Sequence, residues 1–153
     1  MKIALLQINP TVGDLRGNAD LIAGAARCAA EADLAVTSEL ALLGYPPRDL
    51  LLKADFVQRS WSILEDLARR CHEGLAERNP DDAGRPLFNS AALLRDGRVV
   101  GIFRKTLLPT YDVFDEDRYF EPADKPQILN LAGTKLGISI CEDIWNDRDI
   151  WKR

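Results

Sequence analysis

Lys135-Leu136-Gly137-Ile138-Ser139-Ile140-Cys141-Glu142-Asp143-Ile144-Trp145 is the stretch on which the reading of the fold turns. Leu136, Ile138 and Ile140 alternate with Lys135, Gly137 and Ser139, which is the period of a half-buried strand. The pattern predicts a strand over Lys135–Ile140 with Cys141 at its carboxyl end. A strand that breaks into a turn exposes a nucleophile and aims backbone N–H groups at it. A helix starting just after Cys141 would favour the thiolate through its dipole. Glu142 and Asp143 oppose that, so a general base matters more.

Working outward, the rest of the chain alternates strands and helices. Lys2–Ile8 reads as an opening strand, and Asn9-Pro10 with Gly13-Asp14 marks a turn. Asn18 is a candidate N-cap for a helix reaching about Ala32. Leu34–Thr37 reads as a second buried strand, ending near Glu39. Gly44-Tyr45-Pro46-Pro47-Arg48-Asp49 reads as a loop without regular structure. Val57, Trp61, Leu64, Leu67, Ala68 and Cys71 form the apolar stripe of a helix over Ala54–Arg70. Residues 76–86 read as loop. Ser90–Arg95 and Arg98–Arg104 flank Asp96-Gly97, a strong hairpin signal. Leu107–Pro126 reads as an irregular loop, and Gln127–Leu131 as a short strand. The alternation predicts an α/β sandwich in one domain.

Glu39 and Lys105 each follow a strand, as Cys141 does. Sites in parallel α/β sheets gather at the carboxyl ends of strands. Three such ends could bring together a thiol that attacks a carbonyl, a carboxylate that takes its proton and later activates water, and an ammonium that stabilises the oxyanion. Taken singly, a lone cysteine is more often a small buried hydrophobe, and Cys28 and Cys71 read as structural on that ground. A lysine beside Arg104, taken singly, reads as surface charge; with Lys105 as a catalytic residue, Lys105→Ala is expected to remove activity without unfolding the chain.

The chain has 153 residues, a net charge of −4, and 46% hydrophobic against 29% charged residues. That suits one soluble domain with its own core, and neither nucleic acid nor membrane as partner. Three widely spaced cysteines show no metal-ligand spacing and no disulfide framework, so the reading expects no metal and a reducing, cytoplasmic setting. The single histidine, His72, is given no catalytic role.

The words around the three candidates carry a resemblance. Glu39-Leu40-Ala41-Leu42-Leu43-Gly44-Tyr45-Pro46-Pro47-Arg48-Asp49-Leu50-Leu51 resembles the glutamate motif of the nitrilase, or carbon-nitrogen hydrolase, superfamily. Arg104-Lys105-Thr106-Leu107-Leu108-Pro109 resembles its lysine motif, and Gly137–Trp145 its cysteine motif, in the family order. The Tyr-Pro-Pro-Arg-Asp-Leu-Leu and Cys-Glu-Asp-Ile-Trp stretches resemble the glutaminase domain of glutamine-dependent NAD synthetases. The resemblance implies an α-β-β-α sandwich with Glu39, Lys105 and Cys141 as catalytic residues. It implies Glu116 as a supporting acid and Tyr111 as a contact to L-glutamine. Ammonia released through a thioester would pass to a synthetase domain that uses ATP and magnesium to amidate nicotinic acid adenine dinucleotide, in a homo-oligomer.

The same resemblance sets expectations of absence. Residues 1–153 would be the front part of the glutaminase domain, truncated at its C-terminal end, without the synthetase domain. No Ser-Gly-Gly-type pyrophosphate loop occurs, so no cofactor is expected here. Between the second helix and the hairpin, Arg69–Ala76 replaces the family's apolar strand, and that strand is expected to be lost. An inactive fragment and a stand-alone amidase for another small amide are the competing readings.

Overall fold

A computed structural model describes residues 1–71, 73–76 and 87–145, with 73–76 described through the backbone alone. The elements run β1 (Ile3–Leu6), α1 (Leu15–Cys28), β2 (Leu34–Thr37), α2 (Ala54–Arg70), β3 (Glu73–Ala76), β4 (Ser90–Arg95), β5 (Arg98–Arg104), β6 (Gln127–Leu131) and β7 (Thr134–Ile138). Short 3-10 turns cover Arg48–Leu52, Glu116–Arg118 and Cys141–Trp145. β1 and β2 pair in parallel, joined by α1. β3, β4 and β5 form an antiparallel meander, and β6 and β7 a separate hairpin.

Alternation along the strands sorts the side chains into two cores. Ala92 and Leu94 of β4 face α1 and α2, where Leu64 and Leu67 of α2 have no exposed surface. Leu93, with Leu34 of β2 and Phe103 of β5, faces the opposite way onto Leu129 and Leu131 of β6. The described residues therefore stack as helices, sheet and second sheet, the first three layers of the expected sandwich. A register shift in the β4–β5 hairpin pairs Leu93 with Gly101 and Leu94 with Val99, so Val100 is the extra residue of a bulge.

Four expectations need correction. The N-cap of α1 is Asp14, whose side chain accepts from the N–H of Gly17. Asn18 lies inside the helix and is buried: its Nδ2 donates to the carbonyls of Thr11 (2.8 Å) and Leu42 (3.0 Å), tying the loop after Glu39 to the turn after β1. The double proline does not keep the following residues irregular, because a 3-10 turn starts directly at Arg48. The strand expected to be lost is present in short form: β3 pairs with β4 from Glu73↔Arg95 to Ala76↔Ala92. The apolar run is not required when the neighbour supplies a ladder, since backbone pairing needs no particular side chain. β7 also stops at Ile138, so Ser139 and Ile140 belong to the turn that carries Cys141. His72 and most of the expected loop 76–86 lie outside the described residues.

Candidate active site

Glu39 follows β2, Lys105 follows β5 and Cys141 follows β7 in one corner of the fold. The structure brings all three together. Lys105 is fully buried, and its Nζ donates to Glu39 Oε1 at 2.7 Å and to Glu116 Oε1 and Oε2 at 3.0 and 2.8 Å. A lysine with no exposed surface is rare unless paired; here two carboxylates hold it. Burial works against its charge, but the charge and hydrogen bonds of Glu39 and Glu116 outweigh this and leave its pKa above the ordinary lysine value. Glu116 moves upward as well, chiefly through burial, against the pull of Lys105.

Two negative charges around one positive leave the cluster with an excess of negative charge. Its effect falls on Cys141, which lines the same cleft as Glu39. Burial first, then the charge on Glu39, push the thiol upward, and Lys105 only partly offsets them. The resting sulfur is therefore a thiol, with a carboxylate beside it to take the proton. Cys141 is exposed and adopts φ 45°, and Leu40, next to Glu39, adopts φ 51°. Such left-handed geometry at a non-glycine residue costs on the order of 1–3 kcal/mol and collects at functional sites. Gly44 (φ 77°) closes the Glu39 loop where a Cβ would stand 2.5 Å from Val12 Cα, so no other residue fits there.

Asp143 fixes the nucleophile's turn against the lysine's strand. Its Oδ1 accepts from Thr106 N (2.8 Å), Thr106 Oγ1 (2.7 Å) and Leu107 N (2.9 Å), and its Oδ2 from Ile140 N (2.9 Å). The sequence reading set Asp143 against the thiolate; its charge is instead spent on these donors. Tyr111, expected at the substrate, is half-exposed, and its hydroxyl donates to the buried carboxylate of Glu142 (2.9 Å to Oε2). Its ring packs edge-on against Phe114, with centroids 5.6 Å apart. Tyr45 reaches the cluster from the other side, its hydroxyl 3.5 Å from Glu116 Oε1.

Two residues escaped the sequence reading. Asn89, just before β4, is buried and donates through Nδ2 to Glu39 Oε1 at 2.7 Å. Glu142 holds Tyr111. A polar residue ahead of a strand is ordinary, and only the fold shows what Asn89 touches. Cys141, Glu39 and Asn89 form the polar end of a cleft of about 440 Å³, otherwise lined largely by apolar residues such as Ile3, Leu5, Val36 and Ile138. No group of metal-ligating side chains gathers among the described residues, and no helix there is long and apolar enough to cross a membrane.

A thiol, a carboxylate and a buried lysine gathered at three strand ends of an α/β sandwich are groups with which an amide bond can be hydrolysed, and comparison with known proteins shows the family. The carbon-nitrogen hydrolase family model matches residues 2–151, and the chain belongs to that family. A glutamine-dependent NAD(+) synthetase of Synechocystis sp. is 44% identical over 160 residues, covering 97% of this chain and 29% of the relative. The glutamine-dependent NAD+ synthetase of Acinetobacter baumannii, solved with ADP, superposes with a TM-score of 0.82 at 35% identity, covering 95% of this chain and 28% of that one. A variant of the amidase of Nesterenkonia sp. AN1, with acrylamide added at its active-site cysteine, superposes with a TM-score of 0.74 at 28% identity, covering 91% and 56%. The chain thus spans less than a third of the length of the synthetases it matches.

Proposed function

We propose that residues 1–153 form part of a glutaminase domain and carry the chemical groups that hydrolyse the side-chain amide of L-glutamine. The observation that carries this reading is the position of Glu39, which accepts from the Lys105 ammonium at 2.7 Å and lines the same cleft as the Cys141 thiol. Glu39 takes the thiol proton as Sγ attacks the amide carbon. The tetrahedral intermediate expels ammonia with that proton and leaves a thioester. Glu39 then takes a proton from water, hydroxide attacks the thioester carbonyl, and the thiolate leaves and is reprotonated as glutamate departs.

Lys105 has a restricted part in this scheme. An ammonium carries three N–H groups, and all three contacts in the structure go to Glu39 and Glu116. It acts as a fixed positive charge near the oxyanion, or donates directly only after giving up one of these bonds. Tyr111, whose hydroxyl donates to Glu142, is the residue this reading assigns as a contact to L-glutamine.

In this reading the ammonia serves an ATP- and magnesium-dependent synthetase domain that amidates nicotinic acid adenine dinucleotide, within a cytoplasmic homo-oligomer. The identity to the Synechocystis synthetase over nearly the whole chain supports that assignment. The test is labelling with a thiol-reactive glutamine analogue, followed by peptide mapping, with Cys141→Ala as control. Adduct on the Cys141 peptide and release of glutamate from glutamine are expected; no adduct in a folded, reduced sample overturns the proposal. Exposed Leu5, Ile128 and Trp145 favour a second reading, in which these residues are idle without further protein over that face. It predicts labelling only after such protein is added.

A further inference from the structure

Asn89 is a buried amide wedged among the charges of the site. Its Nδ2 reaches Glu39 Oε1 at 2.7 Å and Glu116 Oε2 at 3.4 Å, and its own carbonyl accepts from the Lys105 N–H at 2.8 Å. Its Oδ1 is buried with no hydrogen-bond partner among the described residues. A buried acceptor without a partner is costly, and the alternative is worse. Turning the amide over would press Oδ1 against two carboxylates. The donor end is thus committed to the acids at the expense of the acceptor end.

The bonds from Lys105 and Asn89 fall on the same oxygen of Glu39, Oε1. Lys105 alone could hold a carboxylate that swings about one contact. A second donor on that oxygen, from a side chain anchored at the head of β4, fixes the plane of the group. We propose that Asn89 is a positioning residue of the site: it sets the rotation of the Glu39 carboxylate so that Oε2 meets the proton of the Cys141 thiol. The assignment rests on the reading of Glu39 as base. It adds a fifth side chain to the polar cluster, one that touches the base and not the substrate.

Asn89→Leu removes the donor at similar volume, and Asn89→Ala does so with less steric demand. Each is combined with Glu39→Gln, and the rate of Cys141 carboxamidomethylation by iodoacetamide is followed at one pH by peptide mapping, per folded chain. The thiol proton passes to Glu39 as iodide leaves, so the rate reads the base without requiring glutamine turnover. Asn89→Leu is expected to slow the reaction about tenfold when Glu39 is present, a fraction of what a positioned base contributes. With Glu39→Gln already in place it should change the rate less than about twofold, since a residue acting through Glu39 cannot lose the same effect twice. Equal slowing in both backgrounds, or none in a folded protein, overturns the assignment. If Asn89→Leu does not fold, Asn89→Ala carries the same cycle. A wild-type chain that leaves glutamine intact while the cycle shows coupling refutes the glutaminase reading and keeps this one.

Discussion

Two regions of the molecule differ sharply. Toward the helices, Leu64 and Leu67 have no exposed surface and Ala23, Ala68 and Leu94 have 1% each. Elsewhere, Leu5 of β1, which lines the cleft, is 79% exposed, Ile128 of β6 64%, and Trp145, at the end of the turn that carries Cys141, 68%. The site lies across this divide. Lys105, Glu116 and Asn89 are buried within the packed framework, whereas Cys141 sits on the open side. The charged groups are therefore fixed by core packing, and Cys141 rides on a turn that Asp143 ties to Thr106 and Leu107. Substitutions should hurt in proportion to the side on which they fall.

The largest loss is expected at Lys105. Lys105→Met leaves buried Glu116 and partly buried Glu39 with no cation between them, and breaking a buried pair in this way costs about 3–5 kcal/mol. Urea denaturation should show that loss together with failure of Cys141 labelling by the glutamine analogue; unchanged stability would mean that the cluster is hydrated and the comparison is wrong. This revises the sequence reading, in which Lys105→Ala left the fold intact. The same cluster has a pH signature. Because the folded pKa of Lys105 is raised above the ordinary 10.5, its contribution to stability is fully present below 10.5 and is lost as pH rises through the folded value. Alkaline denaturation should therefore lose this component in Lys105→Met.

Next in size, Leu67→Ala on the helix face should cost about 2–5 kcal/mol in the same assay by opening a cavity. Asp143→Asn should follow at about 1–3 kcal/mol, since the amide keeps acceptor capacity at Oδ1 but turns a donor toward a backbone N–H. Slower labelling of Cys141 with Lys105 untouched would separate it from the ion cluster. At the bottom, Ile128→Ser should change stability by no more than about 0.5 kcal/mol. A cost like that of Leu67→Ala would show that the open face is covered in solution.

The sequence was most legible where a pattern is local. The hairpin around Asp96-Gly97 and the helix Ala54–Arg70 appear at their expected bounds, because turn chemistry and a helical stripe are set within a few residues. The three strand-end candidates converge as expected. What escaped is what depends on distant partners. Asn18 looks like a cap until Leu42 is placed beside it, and Asp143 looks like repulsion until Thr106 and Leu107 are brought to it. The short β3 escaped for another reason: Glu73–Ala76 lacks the expected apolar run and is held through its ladder to β4.

The bonds of Asp143 also have a kinetic meaning. One carboxylate accepts from the adjacent amides of Thr106 and Leu107 and from that of Ile140, more than thirty residues further along the chain. Swinging the cysteine's turn away from β5 must release the Thr106 and Leu107 amides together, and unfolding the turn releases Ile140 as well. In hydrogen–deuterium exchange the Thr106 and Leu107 amides should behave as one cooperative unit, with a common opening free energy, and their protection should report how often Cys141 leaves its working position.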